Sequence, residues 1–234
     1  ESMEIWNGAT PFAAGTINAK AFKKWLSLLD EGKRLTATTG SDTHNIYGDD
    51  YFGMTEWLDW LMDIVMKHPE IYPEQMNEKV AYLTWLYKKV WPRLLSWVEQ
   101  SNTPSTIHNY VYTNGKNQPQ EILQAIREGH SFISNGPLIT AEINGVSYGD
   151  TATLKDNTGK LSVHVFSKKP INHLWMYTGV DKKVEICTES GSLEGGFAYD
   201  IVTDEFDFGG ASWALFVADG GENNLAISNP ILFA

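Results

Sequence analysis

The stretch Leu138–Ile143, LITAEI, is a strand candidate that ends at the turn signal Asn144-Gly145. It opens a series of seven short strand candidates, separated by turn signals, that continues to the end of the sequence. Many short strands in succession are typical of an antiparallel β-sandwich. The sequence therefore predicts a sandwich domain over residues 138–234. The candidates cover residues 138–143, 161–166, 174–177, 184–188, 197–202, 211–218 and 226–233.

The pattern is different before Pro137. Residues 3–6 predict a strand, residues 18–31 a helix with Asn18 as its N-cap, and residues 35–39 a second strand. Strand, helix and strand in this order indicate a βαβ unit with parallel strands. The apolar face of the predicted helix consists of Phe22, Trp25, Leu26 and Leu29.

Two further parts complete this first region. Residues 51–103 carry apolar and tryptophan residues at helical spacing and predict a helical insertion. A strand over residues 109–113, a helix over residues 119–128 and a short strand over residues 131–134 follow. We therefore expect residues 1–137 to form an α/β domain that contains the insertion.

The composition excludes several functional classes. The 234 residues include 18 Lys and Arg against 29 Asp and Glu, a net charge of -11 that would repel nucleic acid and anionic membranes. One cysteine, Cys187, excludes an internal disulfide framework, and no apolar run is long enough for a membrane span. The sequence contains neither a phosphate-binding GxxxxGK[ST] loop nor the GxSxG of α/β serine hydrolases.

The sharpest motif of the sequence is GSDTHN, residues 40–45, directly after a predicted parallel strand. In an extended backbone Asp42 and His44 point to the same side, so their side chains can reach one point. A carboxylate and an imidazole form a usable ligand pair for zinc, manganese or iron. A loop aspartate that merely caps a turn is the alternative interpretation.

Several segments, in order, resemble the polymerase and histidinol phosphatase (PHP) superfamily of metal-dependent phosphoesterases. More narrowly, the sequence resembles the C-terminal portion of its carbaryl-hydrolase-like branch. The likeness spans most of the chain except the insertion. It rests on MEIWNG (residues 3–8), WLSLLDEG (25–32), TGSDTHN (39–45), QEILQAIREGHSFISNGP (120–137), and residues 145–150 and 228–231.

This resemblance implies the C-terminal part of a distorted (βα)7 barrel with a helical insertion, followed by the antiparallel β-sandwich. It implies divalent metal ions, zinc ahead of manganese or iron, held in part by Asp42 and His44, and hydrolysis of a small-molecule ester or phosphoester. The other histidine ligands of the family precede its Asp-x-His motif, whereas no histidine precedes His44 here. We therefore expect a piece of a longer protein with little activity alone, whose open strands a second copy of the chain could cover.

The remaining candidates are weaker. Asn7, beside the strand that leads to Asp42, could support the metal ligands, and His108, His130 and Asn135 could contact substrate; ordinary turn or surface roles are the alternatives. His164 and His173 lie in the predicted sandwich and are interpreted as structural. A non-catalytic protein whose sandwich binds a glycan or another protein is the competing hypothesis, and an exposed Trp175 or Trp213 would support it.

Overall fold

The structure, a computed structural model, describes residues 1–8, 12–40, 67, 107–187, 191–193, 195–221 and 224–234. These residues contain two α-helices and fifteen β-strands. Residues 1–41 and 106–234 form one compact unit and residues 42–105 form another. Apart from Lys67, the predicted helical insertion over residues 51–103 lies outside the described residues. The following description concerns the first unit.

The chain begins with the predicted strand–helix–strand unit, which comprises β1 (Ser2–Asn7), α1 (Ile17–Asp30) and β2 (Thr36–Gly40). β1 and β2 pair in parallel, as predicted. The predicted N-cap Asn18 is wrong, because the cap is Thr16, whose hydroxyl accepts a hydrogen bond from the Ala19 amide at 3.3 Å. Asn18 is instead buried inside the first turn of α1.

An eight-stranded sheet forms the middle of the unit. Its main path runs β10-β9-β13-β14-β4-β3, all antiparallel, while β15 pairs with β13 and, in parallel, with β7. The helix α2 (Pro119–Glu128) connects β3 to β4. The strands are β3 (His108–Val111), β4 (Ser131–Ser134), β7 (Thr151–Ala152), β9 (His173–Gly179), β10 (Lys182–Cys187), β13 (Trp213–Asp219), β14 (Leu225–Ser228) and β15 (Ile231–Phe233).

A five-stranded antiparallel sheet has the order β11-β12-β8-β5-β6. β5 (Leu138–Ile143) and β6 (Val146–Ser147) are joined by Asn144-Gly145, both with positive φ, as a two-residue hairpin turn requires. The central strand of this sheet is β8 (Thr158–Ser167), with β5 on one side and β12 (Gly196–Asp207) on the other. β11 (Gly191–Leu193) is the edge strand next to β12.

The eight-stranded sheet is buried on both faces, and β13, WALFVAD, shows why. Leu215 and Val217 of β13 pack with α1, β1 and β2, whereas Phe216 and Ala218 pack with the five-stranded sheet. A strand covered on both faces needs a nearly continuous apolar run, which residues 213–218 supply. The unit therefore has two apolar cores, one on each face of this sheet.

The predicted (βα)7 barrel is wrong. A barrel needs successive parallel strands, whereas among the described strands β1 and β2 form a separate two-stranded parallel sheet and most other pairs are antiparallel. β3 and β4 flank a helix as barrel strands would, yet they pair antiparallel, with Tyr110 opposite Phe132. The described part is mostly strand, in several antiparallel sheets. The order strand, helix, strand therefore does not by itself specify parallel pairing. The strands pair in parallel only when the helix carries the chain back along the sheet, so that the second strand runs in the same direction as the first.

Candidate functional site

The predicted metal ligands Asp42 and His44 lie outside the described residues. The structure describes the strand that leads to them, β2, up to its last residue Gly40. The candidate site is therefore defined by the C-terminal ends of β1 and β2 and by the groups that hold them.

A carboxylate and an amide of β1 lie beside the end of β2. Glu4 Oε2 is so close to Gly40 that a Cβ atom at position 40 would stand 2.8 Å from it. The Asn7 side-chain amide donates to Glu4 Oε1 at 3.4 Å. In a regular strand, residues three apart face opposite sides, but a register shift between Glu4 and Trp6 lets these two side chains meet. Glu4 is exposed to solvent.

Two side-chain amides bind the backbone of β2 in the manner of a neighbouring strand. Asn109 Nδ2 donates to the Thr39 carbonyl at 2.8 Å, and its Oδ1 accepts from the Thr39 N–H at 3.1 Å. Asn229 does the same at Ala37, where its Oδ1 accepts from the N–H at 2.6 Å and its Nδ2 donates to the carbonyl at 3.3 Å. These contacts hold the backbone of β2 at Ala37 and Thr39.

The end of β1 is held in the same way. The Asn18 side chain, on the first turn of α1, accepts from the Asn7 backbone N–H at 2.9 Å and donates to the Asn7 carbonyl at 3.0 Å. The Gly8 N–H then donates to the Gly40 carbonyl at 2.8 Å. Asn7 thus has two roles, because α1 holds its backbone while its side chain contacts Glu4.

His108 is the first residue of β3 and is exposed. Its ring lies edge-on to Tyr110, with 6.2 Å between the ring centroids. The next residue, Asn109, is the one that contacts β2, so His108 lies on the neighbouring strand at the same end of the unit. Whether it contacts substrate stays a prediction.

His130 lies just after α2 and is flanked by acidic residues. Its Nδ1 is 3.5 Å from Glu128 Oε2 and its Nε2 is 3.2 Å from Asp150 Oδ1, although this carboxylate lies off the line of a hydrogen bond. The backbone of Gly149 packs against this corner, where a Cβ atom would stand 2.5 Å from the Glu128 carbonyl. Two carboxylates thus lie beside the ring of His130, and its contact with substrate stays a prediction.

Asn135 extends the pairing of the central sheet. Its Oδ1 accepts from the Leu225 N–H at 2.7 Å, and its own N–H donates to the Leu225 carbonyl at 3.1 Å. With its side-chain oxygen used in this way, Asn135 contributes to the junction of β4 and β14. The signal Asn-Gly-Pro therefore marks a structural element of the sheet here.

The described residues alone do not form a metal site. Across those ranges, no group of three or more His, Cys, Asp or Glu side chains is placed to hold a metal ion. Glu4 is a single carboxylate and would need ligands from beyond Gly40. The side chain of Cys187 also lies outside what the structure describes.

Two tyrosines, both away from the candidate site, have displaced pKa values. Burial, reinforced by the charge of ionised Tyr112, raises the pKa of Tyr148 to about 12. Its hydroxyl donates to the Ile139 carbonyl at 3.5 Å inside the core between the two large sheets. Burial, reinforced by the Asp219 carboxylate, raises the pKa of Tyr177. Both groups are neutral near pH 7 and take no part in proton transfer there.

Sequence patterns missed a hydrogen-bonded chain on the five-stranded sheet. Ser162 Oγ lies 3.0 Å from His164 Nε2, and His164 Nδ1 lies 2.6 Å from Asp200 Oδ1. Ser-x-His on a predicted strand was the available signal, since residues two apart share a face. Asp200 could not be identified in advance, because its place opposite His164 depends on the register of β12 against β8.

Neither tryptophan named for the binding hypothesis offers a free ring face. Trp213 is 1% exposed, as expected from its apolar run. Trp175 is half-buried, with Lys183 Nζ 3.9 Å from its ring centroid and the His173 ring stacked on it at 5.1 Å. These rings are already in contact with the protein's own side chains, which leaves little ring surface for a sugar.

Comparison of the chain with protein-family models, with curated proteins and with solved structures finds no match in any of the three. Within the described ranges, no helix is both long and apolar enough to span a bilayer.

Proposed function

We propose that this chain is part of a metal-dependent hydrolase in which Asp42, His44 and Glu4 bind a divalent cation. The substrate class is a small phosphoester, as the resemblance to PHP phosphoesterases implies. The single observation that supports this proposal is the position of the Glu4 carboxylate, which lies against Gly40 at the end of β2.

Chain connectivity limits the distance between these groups. Consecutive Cα atoms are 3.8 Å apart, so the Cα of Asp42 is within about 7.6 Å of the Cα of Gly40. Glu4 is included in the proposed ligand set because its carboxylate lies against Gly40, which precedes Asp42 by two positions in the sequence. Asn7 holds this carboxylate from the side through its amide, as groups that orient metal ligands commonly do.

The donor set suits the proposed ion. Two carboxylates and one imidazole are ligands for zinc, manganese or iron, and three protein ligands are usual for a catalytic zinc. Glu4 is exposed, and none of the described cationic side chains pairs with it, so its oxygens are available to a cation. A bound divalent ion would lower the pKa of a coordinated water towards neutrality and so create the nucleophile.

The protein's own groups have separate parts in this proposal. Asn109 and Asn229 hold the backbone of β2, the strand that precedes the proposed ligands in the sequence. Glu4 supplies charge from the neighbouring strand. We expect low turnover by this chain alone, because the PHP resemblance implies further histidine ligands that this sequence does not contain.

Calorimetric titration with zinc and with manganese tests the proposal. The variants Asp42→Asn and His44→Gln should each weaken binding by about 100-fold or more, and Glu4→Gln by about tenfold to 100-fold. Two variants are matched controls: Glu142→Gln changes an exposed glutamate of the five-stranded sheet, and His173→Gln an exposed histidine of β9. Both should leave metal affinity unchanged.

Each result has a definite consequence. Unchanged affinity in Asp42→Asn and His44→Gln would remove the proposed site. A loss confined to those two variants, with Glu4→Gln behaving like Glu142→Gln, would remove Glu4 from the ligand set. Rapid, metal-dependent hydrolysis of bis(p-nitrophenyl) phosphate by this chain would contradict the expectation that further ligands are needed.

A further inference from the structure

The outer face of the five-stranded sheet carries serine, histidine and aspartate in a fixed order. Ser162 and His164 are two residues apart on β8, so they share a face, and Asp200 is the register partner of His164 on β12. Directly opposed residues of antiparallel strands have Cβ atoms about 4.5–5.5 Å apart, which allows a direct side-chain hydrogen bond. The ladder of β8 and β12 thus determines this arrangement.

The chemistry of the three groups determines the tautomer of the histidine. An ionised carboxylate only accepts hydrogen bonds, so His164 Nδ1, 2.6 Å from Asp200 Oδ1, carries the proton. In the neutral ring Nε2 is then an acceptor, and the Ser162 hydroxyl at 3.0 Å donates to it. This is the relation of nucleophile, base and orienting carboxylate found in serine hydrolases on unrelated folds.

We propose that Ser162 is a nucleophile, activated by His164 and oriented through Asp200, that attacks neutral, activated carboxylic esters. An open depression of about 210 Å³ lies beside the histidine, and an acyl chain bonded to Ser162 would have to extend past His164 to reach it. Apolar side chains bordering it are partly exposed, including Leu138 at 43% and Phe166 at 40%. The depression is lined by Leu138, Thr140, His164, Val165, Phe166, Ala198 and Asp200.

The charges around Ser162 select neutral over anionic substrates. Glu142 on β5 is the register partner of Ser162, and Asp200 lies one pair further along the sheet. Lys160 lies on the same strand, but its ammonium group is 3.0 Å from the Asp204 carboxylate. A phosphoester would be repelled here, which separates this site from the proposed metal site.

The surrounding backbone explains why an activated ester is required. β8 is paired on both sides, by β5 and by β12, so its backbone N–H groups are engaged in the ladders. Few backbone N–H groups are then free to donate a hydrogen bond to an oxyanion. Loss of one such donor lowers the rate by about 10²–10³. Aryl esters need less help, because phenolate is a good leaving group.

The reaction balances without any cofactor. Ser162 Oγ bonds to the acyl carbon while its proton passes to His164 Nε2, and the bond from the acyl carbon to the aryl oxygen breaks. His164 gives the proton to the departing phenolate. Water then attacks the acyl-serine, passing one proton to His164, which returns it to Ser162 Oγ as the carboxylic acid leaves.

The test is hydrolysis of p-nitrophenyl butyrate by the whole chain, together with labelling by a fluorophosphonate probe and mapping of the labelled peptide. We expect Ser162 to carry the label. Ser162→Ala should abolish turnover, His164→Gln should lower it by about 100-fold or more, and Asp200→Asn by about tenfold or more. All three side chains are at least partly exposed, so circular dichroism should show folded variants.

The chain offers a matched control. His173 Nδ1 also lies 2.6 Å from a carboxylate, Glu185 Oε1, but no hydroxyl within the described ranges hydrogen-bonds its Nε2. His173→Gln should therefore leave labelling and turnover unchanged, as should EDTA, which would abolish the metal-dependent activity proposed above. Full turnover in Ser162→Ala, labelling at another residue, or equal losses in His164→Gln and His173→Gln would overturn the proposal.

Discussion

β2 and β8 both carry polar side chains beside a region of proposed chemistry, but different interactions hold them in place. Within the described ranges β2 pairs with β1 alone, and the side-chain amides of Asn109 and Asn229 also bind its backbone. β8 pairs with strands on both sides. The amide that binds Ala37 is buried and the one that binds Thr39 is partly buried, whereas the polar side chains on the outer face of β8 are partly or fully exposed. We therefore expect substitution of the more buried polar side chains to lower stability, and substitution of the exposed ones to change activity with little effect on stability.

Removal of the Asn229 amide should have the largest effect. This side chain is buried and satisfies both backbone groups of Ala37, and its Nδ2 also donates to the Ser131 carbonyl at 2.9 Å. Asn229→Ala leaves several buried groups without partners and should lower the free energy of unfolding by about 3–4 kcal/mol. Urea denaturation measures it. Asn172→Ala, at an exposed asparagine, is the control; equal losses in both variants would contradict the account.

Alkaline pH should destabilise the core through Tyr148. Because its pKa is raised to about 12 in the folded chain and is about 10 when unfolded, the unfolded chain loses this proton first as pH rises. The stabilisation that burial of the neutral hydroxyl provides is complete below pH 10 and is lost up to about pH 12, about 3 kcal/mol in all. Between pH 9 and pH 12, the midpoint temperature of thermal unfolding should fall less steeply for Tyr148→Phe than for the unaltered chain. Parallel curves would show that Tyr148 is not the cause.

Asn109→Ala should have an intermediate effect on stability. Asn109 is partly buried and makes two hydrogen bonds to Thr39, so we expect a loss of about 1–2 kcal/mol. Its loss frees the edge of β2 nearest the proposed metal ligands, so zinc affinity should fall by about tenfold as well. Calorimetry at a temperature where the variant is fully folded separates the two effects. Unchanged zinc affinity would show that the edge of β2 need not be held for binding.

Changes on the exposed face should have the smallest effect on stability. Asp200→Asn and Glu185→Gln each disrupt a histidine–carboxylate pair of 2.6 Å between exposed or partly exposed side chains. Such pairs contribute less than about 1 kcal/mol, so both variants should unfold nearly as the unaltered chain does. Only Asp200→Asn should lose ester hydrolysis. A loss of several kcal/mol in the free energy of unfolding of either variant would mean that exposed side chains also determine stability.

The local elements could be predicted from the sequence because local chemistry specifies them. The helix α2 has the bounds that its Pro119 and Gly129 predict, with proline in the first turn and glycine in the left-handed position after the end. The Asn144-Gly145 hairpin and the parallel pairing of β1 with β2 are also as predicted. In each case a short stretch of sequence contains the physical cause.

The arrangement of the sheets could not be predicted in this way. The antiparallel pairing of β3 with β4, and of β4 with β14, depends on how distant strands pack around two shared cores. The same limit applies to the asparagines. Asn18 has the chemistry of an N-cap, but its amide binds the backbone of Asn7. Asn135 likewise binds Leu225 from the adjacent strand.

The candidate sites show the same limit. The motif of Asp42 and His44 is recognisable in the sequence. The structure adds that Glu4 of β1, with Asn7 bonded to it, lies beside the end of β2, the strand that precedes the motif. The pairing of His164 with Asp200 was not visible, because the two residues are 36 positions apart in sequence and meet only through strand register.

Anomalous X-ray scattering at the zinc edge, from crystals of the chain grown with zinc, tests the central claim most directly. We expect one dominant peak with the Glu4 carboxylate, Asp42 and His44 at zinc-ligand distances of about 2.0–2.2 Å. A dominant peak at any other group of side chains, or no peak at saturating zinc with these residues visible in the density, would contradict it.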